Sequence, residues 1–208
     1  DAVIGYLSLA VLESGDEISC GWPSFPSYVF GARKLGAKAN LVPLQNYHYD
    51  LESLVGSISD RTRIVYICNP NNPTGTMVTR NELDVFFDHV PDHVLTVVDE
   101  AYWEYVSNEN YPDSIEEYVG KGKKVLALRT FSKIYGLAGL RIGYGVGDAD
   151  VVTAIRKVQN AFDVTQPAQD AALASLGNFS ELERRRTGNY HARNQLIEGL
   201  EVLGLSPA

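Results

Sequence analysis

The order of hydrophobic patterns along the chain predicts an α/β protein, a three-layer α/β/α arrangement around a mainly parallel, mixed sheet. Three observations carry this. Short apolar runs alternate with amphipathic runs over most of the length. The runs RIVYIC, HVLTVV and KVLALR are almost wholly apolar, as strands covered on both faces are. No internal repeat and no low-complexity segment interrupts the alternation.

Val3, Ile4, Leu7 and Val11 recur at helical spacing, so residues 1–11 read as a helix. SGDEISC is a turn running into a short strand, SYVFGARKLGA a helix, and KANLVPL the next strand. LESLVGSI is helical and RIVYIC is a strand. TRNELDVFFDHV opens with Thr79 and Glu82 spaced as a capping box, which marks a helix start. HVLTVV is a buried strand, and DSIEEYV a short helix with Asp113 as its expected N-cap. KVLALR and LRIGYGV are strands separated by a glycine-punctuated loop, and DADVVTAIRKVQ is helical. The tail from Ala168 to Leu203 is mostly helix, with Ser180 and Glu183 spaced as a second capping box. Both ends read as cut from something longer. The first helix opens at residue 1, and LEVLGLSPA stops in a Gly/Pro turn directly after a helix.

Of the 208 residues, 45% are hydrophobic and 21% charged, so a core can form without disulfides or metals. The formal net charge of −8 argues against a nucleic-acid surface, which needs a basic stripe. No apolar stretch is long enough to cross a bilayer and no leader pattern opens the chain, which fits a cytoplasmic enzyme. Cys20 and Cys68 each sit in an apolar run and read as reduced core thiols. No cysteine or histidine cluster has metal-ligand spacing, so no metal is expected.

In α/β sheets of this type ligands lie beyond the carboxyl ends of the strands, and three loops there carry chemistry. Asn69 to Gly75, NPNNPTG, is a stiff loop after RIVYIC. Taken alone it is also ordinary turn chemistry, but an amide at this place can reach a ring substituent of a ligand. VVDEAYWEY ends an apolar strand in adjacent Asp99 and Glu100, which are costly if buried without a partner. An ordinary helix-start acid is the plain alternative. A metal pair lacks a third ligand, and a protonated ring nitrogen is the better partner. RTFSKIYGLAGLRIGY sets Thr130 and Ser132 around Lys133, with Arg141 beyond two glycines. Hydroxyls plus an arginine make a phosphate site, and a lysine whose proton affinity is lowered can form a Schiff base.

Together CNPNNPTG, DEAY and TFSKIYGLAGLRIGY resemble, in order and spacing, the fold-type I pyridoxal 5′-phosphate enzymes of the class I/II aminotransferases. The similarity is greatest to the histidinol-phosphate aminotransferase group and runs from Asp1 to about Leu205. The resemblance implies that Lys133 forms the Schiff base with the cofactor and carries the proton between Cα and C4′. It implies that Asp99 pairs with the pyridinium nitrogen, that Asn72 and Tyr102 bond the phenolic oxygen, and that Thr130, Ser132 and Arg141 bind the phosphate. Phe25, in WPSFPSY, falls where the family stacks an aromatic ring on the pyridine, although a plain core phenylalanine is the alternative. Asp1 falls at the start of the phosphate-binding helix, where free N–H groups face an anion.

By the same resemblance residues 1–165 form the cofactor-binding large domain, incomplete at its start. Residues 166–208 form a helical segment leading to a small C-terminal domain that carries the substrate-carboxylate arginine. Arg156, Arg184, Arg185, Arg186 and Arg193 lie outside the matching motifs and are not expected to fill that role. The implied activity is amino transfer, by a homodimer, between histidinol phosphate or an aromatic amino acid and a 2-oxo acid. The 208 residues by themselves are expected not to turn over. A decarboxylase or lyase on the same scaffold shares every motif, and a non-catalytic cofactor-sensing domain of a transcription regulator would share the fold.

Overall fold

The computed structural model describes residues 1–207. The chain divides into two compact units. The first comprises Asp1–Arg129 and Tyr144–Asp163, and the second comprises Thr130–Gly143 with the chain from Val164 onward.

The first unit is built on six strands in the order β2-β1-β3-β4-β5-β6. They are β1 (Glu17–Trp22), β2 (Lys38–Pro43), β3 (Thr62–Cys68), β4 (Leu95–Asp99), β5 (Val125–Thr130) and β6 (Gly143–Gly147). The pairs β1–β2, β1–β3, β3–β4 and β4–β5 are all parallel. β6 runs the other way. Gly147 lies against Val125 and Leu126, Gly145 against Leu126 and Leu128, so numbers rise on one strand as they fall on the other. The sheet is therefore mixed and mainly parallel, as expected.

β3, β4 and β5 sit in the middle and are buried almost throughout, which is why they read as apolar runs. β2 and β6 are edges with exposed positions, so KANLVPL and LRIGYGV are less buried than the central runs. The strands LRIGYGV and HVLTVV both start two or three residues later than expected.

Five helices cover this sheet. They are α1 (Ala2–Val11), α2 (Ser27–Lys34), α3 (Leu51–Gly56), α4 (Arg80–His89) and α5 (Ala149–Val158). α1 packs on α2 and α5, and α3 packs on α4. These two groups are the outer layers of a three-layer α/β/α fold. Thr79 and Glu82 form the expected capping box, each side chain bonded to the other's backbone N–H.

Two cap assignments change. The segment DSIEEYV forms a short π-helical turn, Ile115–Val119, whose N-cap residue is Ser114. Asp113 still holds the turn, its Oδ1 accepting from the N–H groups of Ile115 at 3.0 Å and Glu116 at 3.4 Å. In the second unit α6 (Gln166–Leu176) is followed by α7 (Phe179–Val202). The expected Ser180/Glu183 box is not the start of α7. Asn178 occupies the N-cap and accepts from Glu181 N–H at 3.2 Å, because its side chain meets an N3 donor two residues earlier. The buried residues of the first unit form one continuous core from Ile4 to Ile155.

Candidate active site

β4 is buried along its whole length and delivers Asp99 to its carboxyl end, between Cys68 of β3 and Leu128 of β5. A carboxylate there is only 7% exposed and must be satisfied locally. The phenolic hydroxyl of Tyr28 donates to Asp99 Oδ2 at 2.7 Å, and the N–H of Ala101 donates to Oδ1 at 3.2 Å. Burial, then the Asp99 charge, push the Tyr28 phenol well above its ordinary value, so the proton stays on the tyrosine. Tyr28 is stacked on Tyr66 of β3, with centroids 4.3 Å apart and planes 9° from parallel. Phe25 stands edge-on to Tyr28 at 5.7 Å.

The segment Pro23–Tyr28 is a hub. Ser24 Oγ donates to Asn71 Oδ1 at 2.8 Å, and the Asn71 amide donates back to the Pro23 carbonyl at 3.1 Å. Ser27 Oγ donates to Asp1 Oδ1 at 2.8 Å. Phe25, Asp1, Asp99 and the Asn69–Gly75 loop are thus tied to one six-residue stretch. In that loop Asn69 and Asn71 are spent on the fold. Asn69 is wholly buried and bonds both backbone groups of Val78. Asn72 is half-buried, and among the described residues its side chain makes no hydrogen bond. The peptides before Pro23, Pro70 and Pro73 are cis. Tyr102 is half-buried, three residues beyond Asp99.

Asp1 stands at the N-cap position of α1, but its carboxylate does not cap the helix and is held by Ser27. The first N–H groups of α1 therefore keep their donor capacity and the positive end of the helix dipole.

Glu100 has a different task from its neighbour Asp99. Its side chain is fully buried, with Oε2 accepting from Arg129 Nε at 2.8 Å. Arg129 also donates to Asp113 Oδ1 at 2.8 Å and lies 4.0 Å over the Trp103 ring. The adjacent acids that looked like one pair in the sequence separate: Asp99 accepts from Tyr28 and Ala101, and Glu100 is half of a buried ion pair. Beside them Glu104 is 5% exposed, and burial pushes its carboxyl up to about 7. A raised carboxyl favours the folded state while protonated. Its contribution is whole below pH 4.5 and is lost as pH rises through about 7. Replacing Glu104 by glutamine should raise stability at pH 8 relative to pH 5 by roughly 3 kcal/mol, at about 1.4 kcal/mol per unit. Urea unfolding of both proteins at the two pH values measures this. A difference independent of pH would rule it out.

Within the second unit the loop from Thr130 to Gly143 carries Thr130, Ser132, Lys133 and Arg141. Thr130 Oγ1 accepts from Ser132 N–H at 3.1 Å. Phe131 and Ile134 are buried on either side of the exposed Lys133, so neighbours anchor the loop at the lysine. Gly136 has φ +71°, a conformation that strains any other residue, and a Cβ there would push on the Arg185 guanidinium 2.8 Å away. Arg141 itself adopts φ 57° and donates from Nη1 to the Ala138 carbonyl at 2.7 Å. Arg185, from α7, donates to the Ile134 carbonyl at 2.7 Å and to Glu181. It is thus a strut for the lysine loop and not a solvated helix charge.

Sequence reasoning missed Tyr28, Arg129 and Arg185. Tyr28 left one signal, its place one helical turn after Phe25; the other two left none. Cys20 and Cys68 are buried free thiols, each pushed by burial to about 12, so neither is an available nucleophile. Among the described residues no group of three or more metal-ligating side chains occurs, and no helix is long and apolar enough to cross a membrane.

The family model for aminotransferase class I and II matches residues 1–208. The chain belongs to the class I and II aminotransferases. This aminotransferase chain is 43% identical over 206 residues to a histidinol-phosphate aminotransferase of Moorella thermoacetica, covering 99% of this chain and 53% of that relative. It is 46% identical over 190 residues to an aromatic amino acid aminotransferase of Mycobacteroides abscessus, covering 91% and 54%. A crystal structure of histidinol-phosphate aminotransferase from Sinorhizobium meliloti, in complex with pyridoxal 5′-phosphate, superposes with a TM-score of 0.92 at 29% identity. It covers 98% of this chain and 55% of that one. The chain spans about half the length of the curated relatives it matches.

Proposed function

We propose that the protein of which these residues form part is a pyridoxal 5′-phosphate-dependent aminotransferase acting on histidinol phosphate or an aromatic amino acid, with a 2-oxo acid as acceptor. The observation that carries this is the Asp99 carboxylate, buried at the end of a central strand and accepting hydrogen bonds from the Tyr28 phenol and the Ala101 N–H. A carboxylate so placed suits a cationic ring nitrogen, and the residues around it fit the cofactor. Asp99 keeps a proton on that nitrogen. Asn72, with its amide unspent, and Tyr102 bind the phenolic oxygen. Phe25 covers a face of the ring. Thr130, Ser132, Arg141 and the first N–H groups of α1, behind Asp1, bind the phosphate. Lys133 would hold the cofactor through its ε-amino group and, once the donor's amino group has displaced it, its free amine would be the base that takes the Cα proton and returns it. Bound pyridoxal phosphate supplies an electron sink for the pair left on Cα. The donor choice draws on relatives of both specificities at similar identity. Action as a cytoplasmic homodimer rests on the resemblance alone.

Borohydride reduction of the full-length protein loaded with pyridoxal phosphate, followed by peptide mapping, is expected to place the pyridoxyl group on Lys133. A label on another lysine would overturn the assignment. Amino transfer assayed over histidinol phosphate and the aromatic amino acids then separates the two donors.

A further inference from the structure

Asp99 Oδ2 accepts a hydrogen bond from Tyr28, a residue outside the roles assigned above. We infer that Tyr28 is a positioning residue that sets the basicity and the orientation of Asp99 toward the cofactor ring nitrogen; this rests on the cofactor reading above.

Three features support it. The Tyr28 hydroxyl bonds Asp99 Oδ2 at 2.7 Å across 71 residues of sequence. The ring that carries this hydroxyl is wholly buried and clamped, stacked on Tyr66 at 4.3 Å and met edge-on by Phe25 at 5.7 Å. The hydroxyl therefore has little freedom to turn elsewhere. The second oxygen of Asp99 is fixed by Ala101 N–H, so the carboxylate plane is set from two sides. Cys68, Tyr66 and Tyr111 lie within electrostatic reach of Asp99 and are kept neutral by burial, while Glu100, next in the chain, is paired with Arg129. Among the groups in its surroundings Tyr28 is the one that both bonds Asp99 and reaches Phe25.

The physical consequence has a sign. A donor to a carboxylate stabilises the anion and makes it a weaker base. Without that donor Asp99 draws the ring proton toward itself, and the ring carries less positive charge. The nitrogen that Lys133 presents to the conjugated system is then easier to protonate.

The test uses the full-length protein loaded with pyridoxal phosphate. Tyr28→Phe keeps the ring and its packing and removes only the hydroxyl. The pH midpoint of the bound cofactor's visible absorption change is expected to rise by about one unit. Tyr66→Phe removes a hydroxyl from the same stack without touching Asp99, and its midpoint is expected to stay at the unsubstituted value. Loading both Tyr28 forms with 1-deazapyridoxal phosphate, which lacks the ring nitrogen, should abolish the difference between them. An unchanged midpoint in Tyr28→Phe overturns the inference. So does an equal shift in Tyr66→Phe, or a shift that persists with the deaza analogue. An unsubstituted protein that shows no cofactor band overturns the cofactor reading itself and this inference with it.

Discussion

Replacement of Asp99 by asparagine is expected to cut turnover of the full-length protein by 10²- to 10⁴-fold while leaving cofactor capture in place. The size follows from what is removed. Asp99 is 7% exposed and receives hydrogen bonds on both oxygens, so its orientation is fixed in a site that water barely reaches. Breaking one partner of a buried pair costs about 3–5 kcal/mol. At about 1.4 kcal/mol per tenfold, that range corresponds to roughly the rate loss stated. Asparagine keeps the shape and can still accept from Tyr28, so the fold should hold. It cannot carry the negative charge that keeps a ring nitrogen protonated. Single-turnover amino transfer, measured beside cofactor titration, separates the two effects. Turnover within threefold of the unsubstituted protein would show that the ring nitrogen is not served by Asp99.

The parts of this site that were legible in the sequence are those written in local strings. Asp99 was visible because a charged residue ends a run of apolar ones, and Lys133 because hydroxyls and glycines crowd it within a dozen residues. The Thr79 capping box was visible because both halves of the bond lie three residues apart. The same spacing at Ser180 and Glu183 misled. Asn178 two residues earlier takes the cap, and spacing cannot decide between two competent N-caps. What was not legible is what the fold brings from a distance. Tyr28 meets Asp99 across 71 residues, and Arg129 meets Glu100 across 29. Nothing in WPSFPSY says that its tyrosine ends at the carboxyl end of the fourth strand. The Asn69–Gly75 loop stands out in the sequence as a candidate site, yet which of its three asparagines are spent on the fold depends on Val78, Pro23 and Ser24. Arg185 looked like one of a row of helix charges, because periodicity does not reveal a carbonyl partner 51 residues away.

The largest expected effect on stability belongs to Arg129. Its guanidinium is paired with Glu100, whose carboxyl burial pushes up and Arg129 pulls back. It also bonds Asp113 and lies on Trp103, joining the end of β4 to the π-helical turn and to the strand that leads into the lysine loop. Arg129→Met retains apolar bulk and removes the charge and the forked donors. It leaves Glu100 fully buried without its cation and Glu104 beside it with one fewer compensating charge. The expected loss is about 3–5 kcal/mol at pH 8, the cost of stranding one member of a buried pair. The loss should shrink toward pH 5, because both carboxyls, raised by burial, can then take protons and no longer need the cation. Adding Glu100→Gln to Arg129→Met should recover part of the loss at pH 8, since the stranded charge is then gone. Urea unfolding of the single and double variants at the two pH values gives the four numbers needed. A single variant within about 1 kcal/mol of the unsubstituted protein at pH 8, the range of an exposed pair, would mean that Arg129 acts as a surface charge. A loss of equal size at both pH values would mean that packing on Trp103, and not the ion pair, is what the arginine contributes.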